Sequence, residues 1–185
     1  MKHTTLLILS IMLFACNSNT KDSKIEDEFY DYDIEERLDS LGITLHEPTL
    51  PKGIKIVLAT RVNNLLYLSG NGPIKADGTR VTGKVGTDLT VEEGYDAARI
   101  VAIRHLSVLK KELGDLNKVE RIIKVLGMVN AEASFTQQPA VINGYSETMV
   151  AVFGERGMHA RSAVGMASLP FNLACEVEAI VQIKE

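Results

Sequence analysis

Residues 159–178, His-Ala-Arg-Ser-Ala-Val-Gly-Met-Ala-Ser-Leu-Pro-Phe-Asn-Leu-Ala-Cys-Glu-Val-Glu, decide how the rest of the chain is read. Small and apolar residues fill both arms, and Leu169-Pro170-Phe171-Asn172 between them has turn composition, so the pattern predicts two strands joined by that turn. Side chains alternate along a strand, which sends Glu176 and Glu178 to one face and Cys175, Val177 and Ala179 to the other. Arg161 opens the first arm. A cation and a carboxylate on adjacent strands would suit a small anionic substrate that exchanges a proton. By residue type alone, an Arg and a Glu on a solvated sheet face is the simpler reading.

Working outward, the remaining elements follow from periodicity and punctuation. Residues 54–60 and 65–69 read as strands separated by Arg61-Val62-Asn63-Asn64, whose asparagines tolerate the backbone a hairpin needs. Ser69-Gly70-Asn71-Gly72-Pro73 is glycine-rich, yet no Gly-Lys-Ser/Thr follows and no helix starts there, so it is not a phosphate loop. Thr90-Val91-Glu92-Glu93 has capping-box spacing and opens a helix that runs to Leu113 and stops at Gly114. Tyr95, Ala98, Ala102, Leu106, Leu109 and Leu113 form its core stripe, with His105 expected at the rim. Residues 119–130 form a strand in which Gly127 marks a bulge or a close contact. Pro139 and Gly154 bracket a second amphipathic helix carrying Val141, Ile142, Tyr145, Met149 and Val152. The order strand, strand, helix, strand, helix, strand, strand predicts an α+β sandwich with two helices on one face of a mixed sheet.

The N-terminus is of another kind. Lys2, an apolar run over 6–14 and Ala15 before Cys16 read as a secretory signal over residues 1–15, too short to span a membrane. Leu13-Phe14-Ala15-Cys16 resembles a bacterial lipobox, which implies acylation of Cys16 and a lipid anchor in the cell membrane or outer membrane; ordinary secretion with cleavage near Ala15, or a short buried helix, is the plainer alternative. Residues 16–50 then form an acidic tether containing a short helix at 34–41 that ends at Gly42 and packs over the domain edge. Residues 51–185 form the folded domain. Cys175 is the other cysteine, expected to be a buried, inert hydrophobe.

Composition excludes several chemistries. The formal charge of −4, with no basic run interleaved with aromatics, argues against nucleic acid as a partner. His46, His105 and His159 lie in unrelated elements, no serine sits in a nucleophile elbow, and no metal-ligand spacing occurs. An anion holder and a general acid/base remain.

Arg161-Ser162-Ala163-Val164, Leu169-Pro170 and Glu176-Val177-Glu178-Ala179 resemble the signature of the Rid/YjgF family of reactive-intermediate (enamine/imine) deaminases, some of which are called L-PSP-type endoribonucleases. The similarity extends from Ile54 to the C-terminus, with Ser69-Gly70 and Asn143 at the family's Ser-Gly and Asn. It implies a chorismate-mutase-like homotrimer with clefts between subunits and no cofactor or metal. In such a cleft Arg161 would hold the carboxylate of a 2-aminoacrylate-type enamine or imine. Glu176 would activate water, and Ser69, Gly70 and Asn143 would bind the substrate. The product would be a 2-keto acid and ammonia. Two departures stand out: Ala163 replaces a frequent family Cys, and no aromatic near 47–51 matches the family's N-terminal Gly-Pro-Tyr. Export is the other anomaly, since 2-aminoacrylate arises inside cells. A non-catalytic trimer binding small carboxylates or keto acids is the competing reading; endoribonuclease, resting on a name alone, is the third.

Overall fold

Thr90 starts the longest helix as its spacing predicts: its hydroxyl accepts from the Glu93 amide at 3.1 Å, and the Glu93 carboxylate accepts from the Thr90 amide at 2.8 Å. At the far end Gly114 takes the left-handed conformation, φ 72°, and closes the helix through the Lys110 carbonyl. The computed structural model describes residues 30–50 and 53–184; Cys16 and the expected signal segment lie outside the described residues. The elements are α1 (Ile34–Ser40), β1 (Ala59–Val62), β2 (Leu65–Asn71), α2 (Val91–Leu113), β3 (Val119–Asn130), α3 (Gln138–Phe153), β4 (Ala160–Met166) and β5 (Cys175–Ile183), with short 3-10 turns between some of them.

The sheet runs β1-β2-β5-β3-β4, mixed because β4 is parallel to β3 while the other pairs are antiparallel. This corrects the expected pairing of the two arms of 159–178: β4 and β5 are not neighbours, for β3 lies between them. The cause is the turn that joins them. Phe171 and Asn172 both adopt positive φ, 57° and 56°. The Asn172 side-chain oxygen accepts from the amide nitrogen of Asn130, the last residue of β3, at 3.0 Å. The Asn130 backbone amide also donates to the Ala174 carbonyl at 3.0 Å, so the chain crosses over the end of β3 before β5 begins.

Helices α2 and α3 cover one face. Val101, Ala102, Leu106 and Leu109 pack with Val141, Ile142, Tyr145 and Met149 against Ile122, Val125 and Val129 of β3 and Val177 and Val181 of β5. At roughly 1.5–3 kcal/mol for each large side chain removed from water, this layer dominates the stability. Tyr95 and Leu113, expected within the stripe, stand half-exposed at its ends. His105, expected at the rim, is wholly buried. Burial is possible because both ring nitrogens are satisfied: Nε2–H donates to the Ser69 carbonyl at 3.2 Å and Nδ1 accepts from the Tyr145 hydroxyl at 2.8 Å. Desolvation pushes its pKa down to about 4, and the ring is neutral.

The first strand is displaced from 54–60 to Ala59–Val62, set by the turn in which Asn63 takes φ 53°. The core also reaches beyond the expected start of the domain, since Ile34, Leu38 and Ile43 are buried in it. Asp33 caps α1 through the Glu36 amide and accepts from Asn117 at 2.9 Å, while the Asn117 side-chain oxygen receives the Ile34 amide.

Two glycines permit the layers to close. A Cβ at Gly127 would meet Ile142 side-chain atoms at 2.6 Å, and pairing of β3 continues unbroken through this position, so it marks a close contact rather than a bulge. A Cβ at Gly144 would lie 2.0 Å from the Tyr95 carbonyl oxygen, so the α2 and α3 backbones touch there. Gly144→Ala should therefore destabilise the protein by about 2 kcal/mol or more, although alanine in an open helix gains about 1 kcal/mol over glycine. The check is a lower urea midpoint with an unchanged m-value.

Candidate functional site

Arg161 lies on edge strand β4 opposite Val125 of β3, and its side chain turns to the helix-covered side. Nη1 donates to the Asn143 side-chain oxygen at 2.9 Å and to Ser146 Oγ at 3.0 Å, and Nη2 reaches the Pro139 carbonyl at 3.4 Å. All three partners sit on α3, and Asn143 and Ser146 share one helix face because they are three residues apart. Ser146 Oγ–H donates in turn to His159 Nε2 at 3.0 Å, and His159 Nδ1–H donates to the Gly157 carbonyl at 2.7 Å. Burial, with the nearby charge of Arg161, holds the His159 pKa below its ordinary value, which favours this neutral tautomer. Every acceptor around the guanidinium is uncharged. Among the described residues no carboxylate pairs with Arg161.

Glu176 stands on the opposite face. Along β5, Cys175, Val177, Ala179, Val181 and Ile183 are buried under the helices, which leaves Glu176 and Glu178 on the side no helix covers. The Glu176 side chain lies over Gly70: a Cβ added there would sit 2.2 Å from Oε1. The absence of a side chain at Gly70, where β2 departs from regular pairing with β5, is what gives the carboxylate its seat. Burial, then the charge of Glu178, raises the Glu176 pKa above the ordinary carboxylate range. Ser69 precedes Gly70 in β2, and its Oγ–H donates to the Val57 carbonyl at 2.7 Å. A cleft of about 550 Å³ opens on this face, lined by Tyr67, Ser69, Ser162 and Glu178, with Lys124 Nζ donating to Ser162 Oγ at 3.1 Å.

The expected site residues thus form two groups. Ser69, Gly70 and Glu176 meet on the bare face; Arg161 and Asn143 meet on the helix side of an edge strand. Within one protomer the groups do not converge. Asn143 grips Arg161, and Ser146 and His159 extend that grip. The sequence alone singles out neither Ser146 nor any role for His159; the i, i+3 spacing of Asn143 and Ser146 is the available signal. Cys175 is free and fully buried, its thiol pushed up to about 12 by burial and by the charge of Glu176, so it is no nucleophile. Among the described residues no group of three His, Cys, Asp or Glu side chains is placed to hold a metal.

The family profile described as "YjgF/chorismate_mutase-like, putative endoribonuclease" matches residues 35–183. Protein TCP17 of Trypanosoma cruzi is 46% identical over 119 residues, which is 64% of this chain and 74% of that protein. The crystal structure of a protein of unknown function from Agrobacterium tumefaciens, Atu1372, superposes with TM-score 0.74 at 46% identity, covering 82% of this chain and 94% of that one. The crystal structure of "a putative endoribonuclease" from Shewanella oneidensis gives TM-score 0.78 at 29% identity, covering 82% of this chain and 100% of that one.

A carboxyl group whose pKa is raised by folding opposes the folded state once it ionises. The stability it allows is fully present below its unfolded value, near 4.5, and is lost as pH rises through the folded value. Relative to Glu176→Gln, the wild type should therefore lose stability as pH climbs above 4.5. Chemical denaturation of both proteins across pH 4 to 8 checks it, and parallel curves would show that Glu176 titrates as an ordinary surface carboxylate.

Proposed function

The chain belongs to the Rid/YjgF family, and from that premise we propose that it hydrolyses a small enamine or imine carboxylate of the 2-aminoacrylate type to a 2-keto acid and ammonia. The observation that carries this reading is the setting of Arg161. It is a guanidinium held by Asn143, Ser146 and a backbone carbonyl, with its charge unneutralised, and a planar fork of that kind takes a carboxylate in bidentate fashion. Glu176 supplies the base. Its raised pKa brings it nearer the range in which a carboxylate accepts a proton from water with useful driving force.

The reaction needs no cofactor. An enamine first takes a proton on carbon to become the imine. Water oxygen then bonds to the imine carbon as Glu176 accepts one water proton and hands it to nitrogen; Glu176 next takes the remaining hydroxyl proton as the carbonyl forms, the carbon–nitrogen bond breaks and ammonia leaves. Arg161 keeps the substrate carboxylate fixed throughout.

Because Arg161 and Glu176 occupy opposite faces of the sheet, the proposal requires two copies of the chain in a closed homotrimer. The edge strand β4 of one protomer would stand against the bare sheet face of the next, so that each cleft takes its Arg from one copy and its Glu from another. The endoribonuclease reading carried by relatives' names has less behind it, since the chain is acidic and lacks a basic track. The proposal also keeps the lipid anchor at Cys16, which would place the domain at an exported membrane surface.

Keto-acid release from enzymatically generated imino acids should fall at least about 100-fold in Arg161→Ala and in Glu176→Gln. Mixing the two inactive variants and reassembling them should restore activity at about one quarter of the clefts if each cleft is shared between neighbours. Wild type that binds a keto acid without turnover would make the protein a carboxylate-binding trimer instead. The anchor has its own check: full-length protein expressed in bacteria should incorporate an alkynyl fatty acid, and Cys16→Ser should not.

A further inference from the structure

Arg104 carries a charge that neither the fold nor the proposed reaction uses. It lies on α2, half-buried, and desolvation alone pulls its pKa down. Its Nε is shut off from solvent and, among the described residues, has no hydrogen-bond partner. Nη2 reaches only two neutral oxygens, both at long range: the Thr49 carbonyl at 3.4 Å and the Asn71 side-chain oxygen at 3.3 Å. A charged nitrogen withdrawn from water and left unpaired is costly unless something else completes the guanidinium.

Beside it is a cavity of about 420 Å³, bounded by the 44–49 segment, the turn at 74–78 and one face of α2. Its walls are largely hydrocarbon, from Pro48, Ile74, Ile100 and Ile103, and Lys75 adds a second cation. The one acid on the lining, Glu47, is already bonded to Lys111 at 2.5 Å. The cavity therefore joins a positive end that lacks an anion to an apolar body. A doubly charged, strongly hydrated anion fits such walls poorly, whereas a singly charged head on a short hydrocarbon chain fits both halves.

We propose that this cavity is a binding site for a small organic monocarboxylate, with the carboxylate on the Arg104 guanidinium and the chain against Ile74, Ile100 and Ile103. It is separate from Arg161 and Glu176 and does not depend on the reaction proposed for them. The two regions touch through one short chain of contacts: Arg104 donates to Asn71, and Asn71 Nδ2 donates to the Ser69 carbonyl at 3.1 Å, next to Gly70.

The test is titration of the domain with hexanoate, acetate and inorganic phosphate, followed by the NMR signal of the Arg104 Nε–H and by calorimetry. Hexanoate should shift that signal saturably and bind more tightly than acetate. Arg104→Gln should weaken hexanoate about tenfold or more. The proposal is overturned by an Arg104 signal that hexanoate does not move, by equal affinity in wild type and Arg104→Gln, or by a response to phosphate without one to hexanoate. Should Arg104→Gln fail to fold, the wild-type NMR titration decides alone.

Discussion

Strand β3 is the member on which the architecture turns, because it pairs with β4 on one side and β5 on the other. Its last residue, Asn130, holds the crossing segment by donating to Asn172 and to the Gly83 carbonyl, while Lys84 Nζ reaches the Asn130 side chain at 3.1 Å. With these buried polar groups satisfied, the chain passes from the edge of the sheet to its middle without leaving orphaned donors at the crossing. The separation of Arg161 from Glu176 follows directly. One arm ends as the outer strand facing α3, the other as a central strand whose polar face looks away from the helices.

What was legible in the sequence was local. Thr90-Val91-Glu92-Glu93 and Gly114 encode the ends of a helix within a few residues of where they act, and both behave as read. The Asn63-Asn64 turn is likewise local. Strand order is not, because nothing in 159–178 says whether its arms pair with each other or with a strand laid down thirty residues earlier. His105 was misjudged for a related reason: its burial depends on a tyrosine 40 positions away, and polarity without a visible partner reads as exposure. The short helix at 34–41 and its packing on the domain were legible from apolar spacing and Gly42; that Ile34 and Leu38 are full members of the core was not, because the acidic residues around them mark a tether by default.

For the candidate site, residue types were readable and their assembly was not. The resemblance identified Arg161, Glu176, Ser69, Gly70 and Asn143, but alternation along one strand cannot reveal that two of them lie across the sheet from the other three. The electrostatics add a distinction of their own. Among the described residues neither Arg161 nor Arg104 has a carboxylate partner, yet Arg161 is braced by several hydrogen bonds on one helix while Arg104 reaches distant oxygens. The first is rigid and prepared; the second is unfinished.

The empty space at Gly70 has a consequence for how such a protein could change. Any heavier residue there would evict the Glu176 carboxyl from its niche while leaving the hydrophobic layer on the other side of the sheet untouched. A lineage carrying a side chain at residue 70 would keep the scaffold's hydrophobic layer while displacing the carboxyl that the proposed reaction uses as its base.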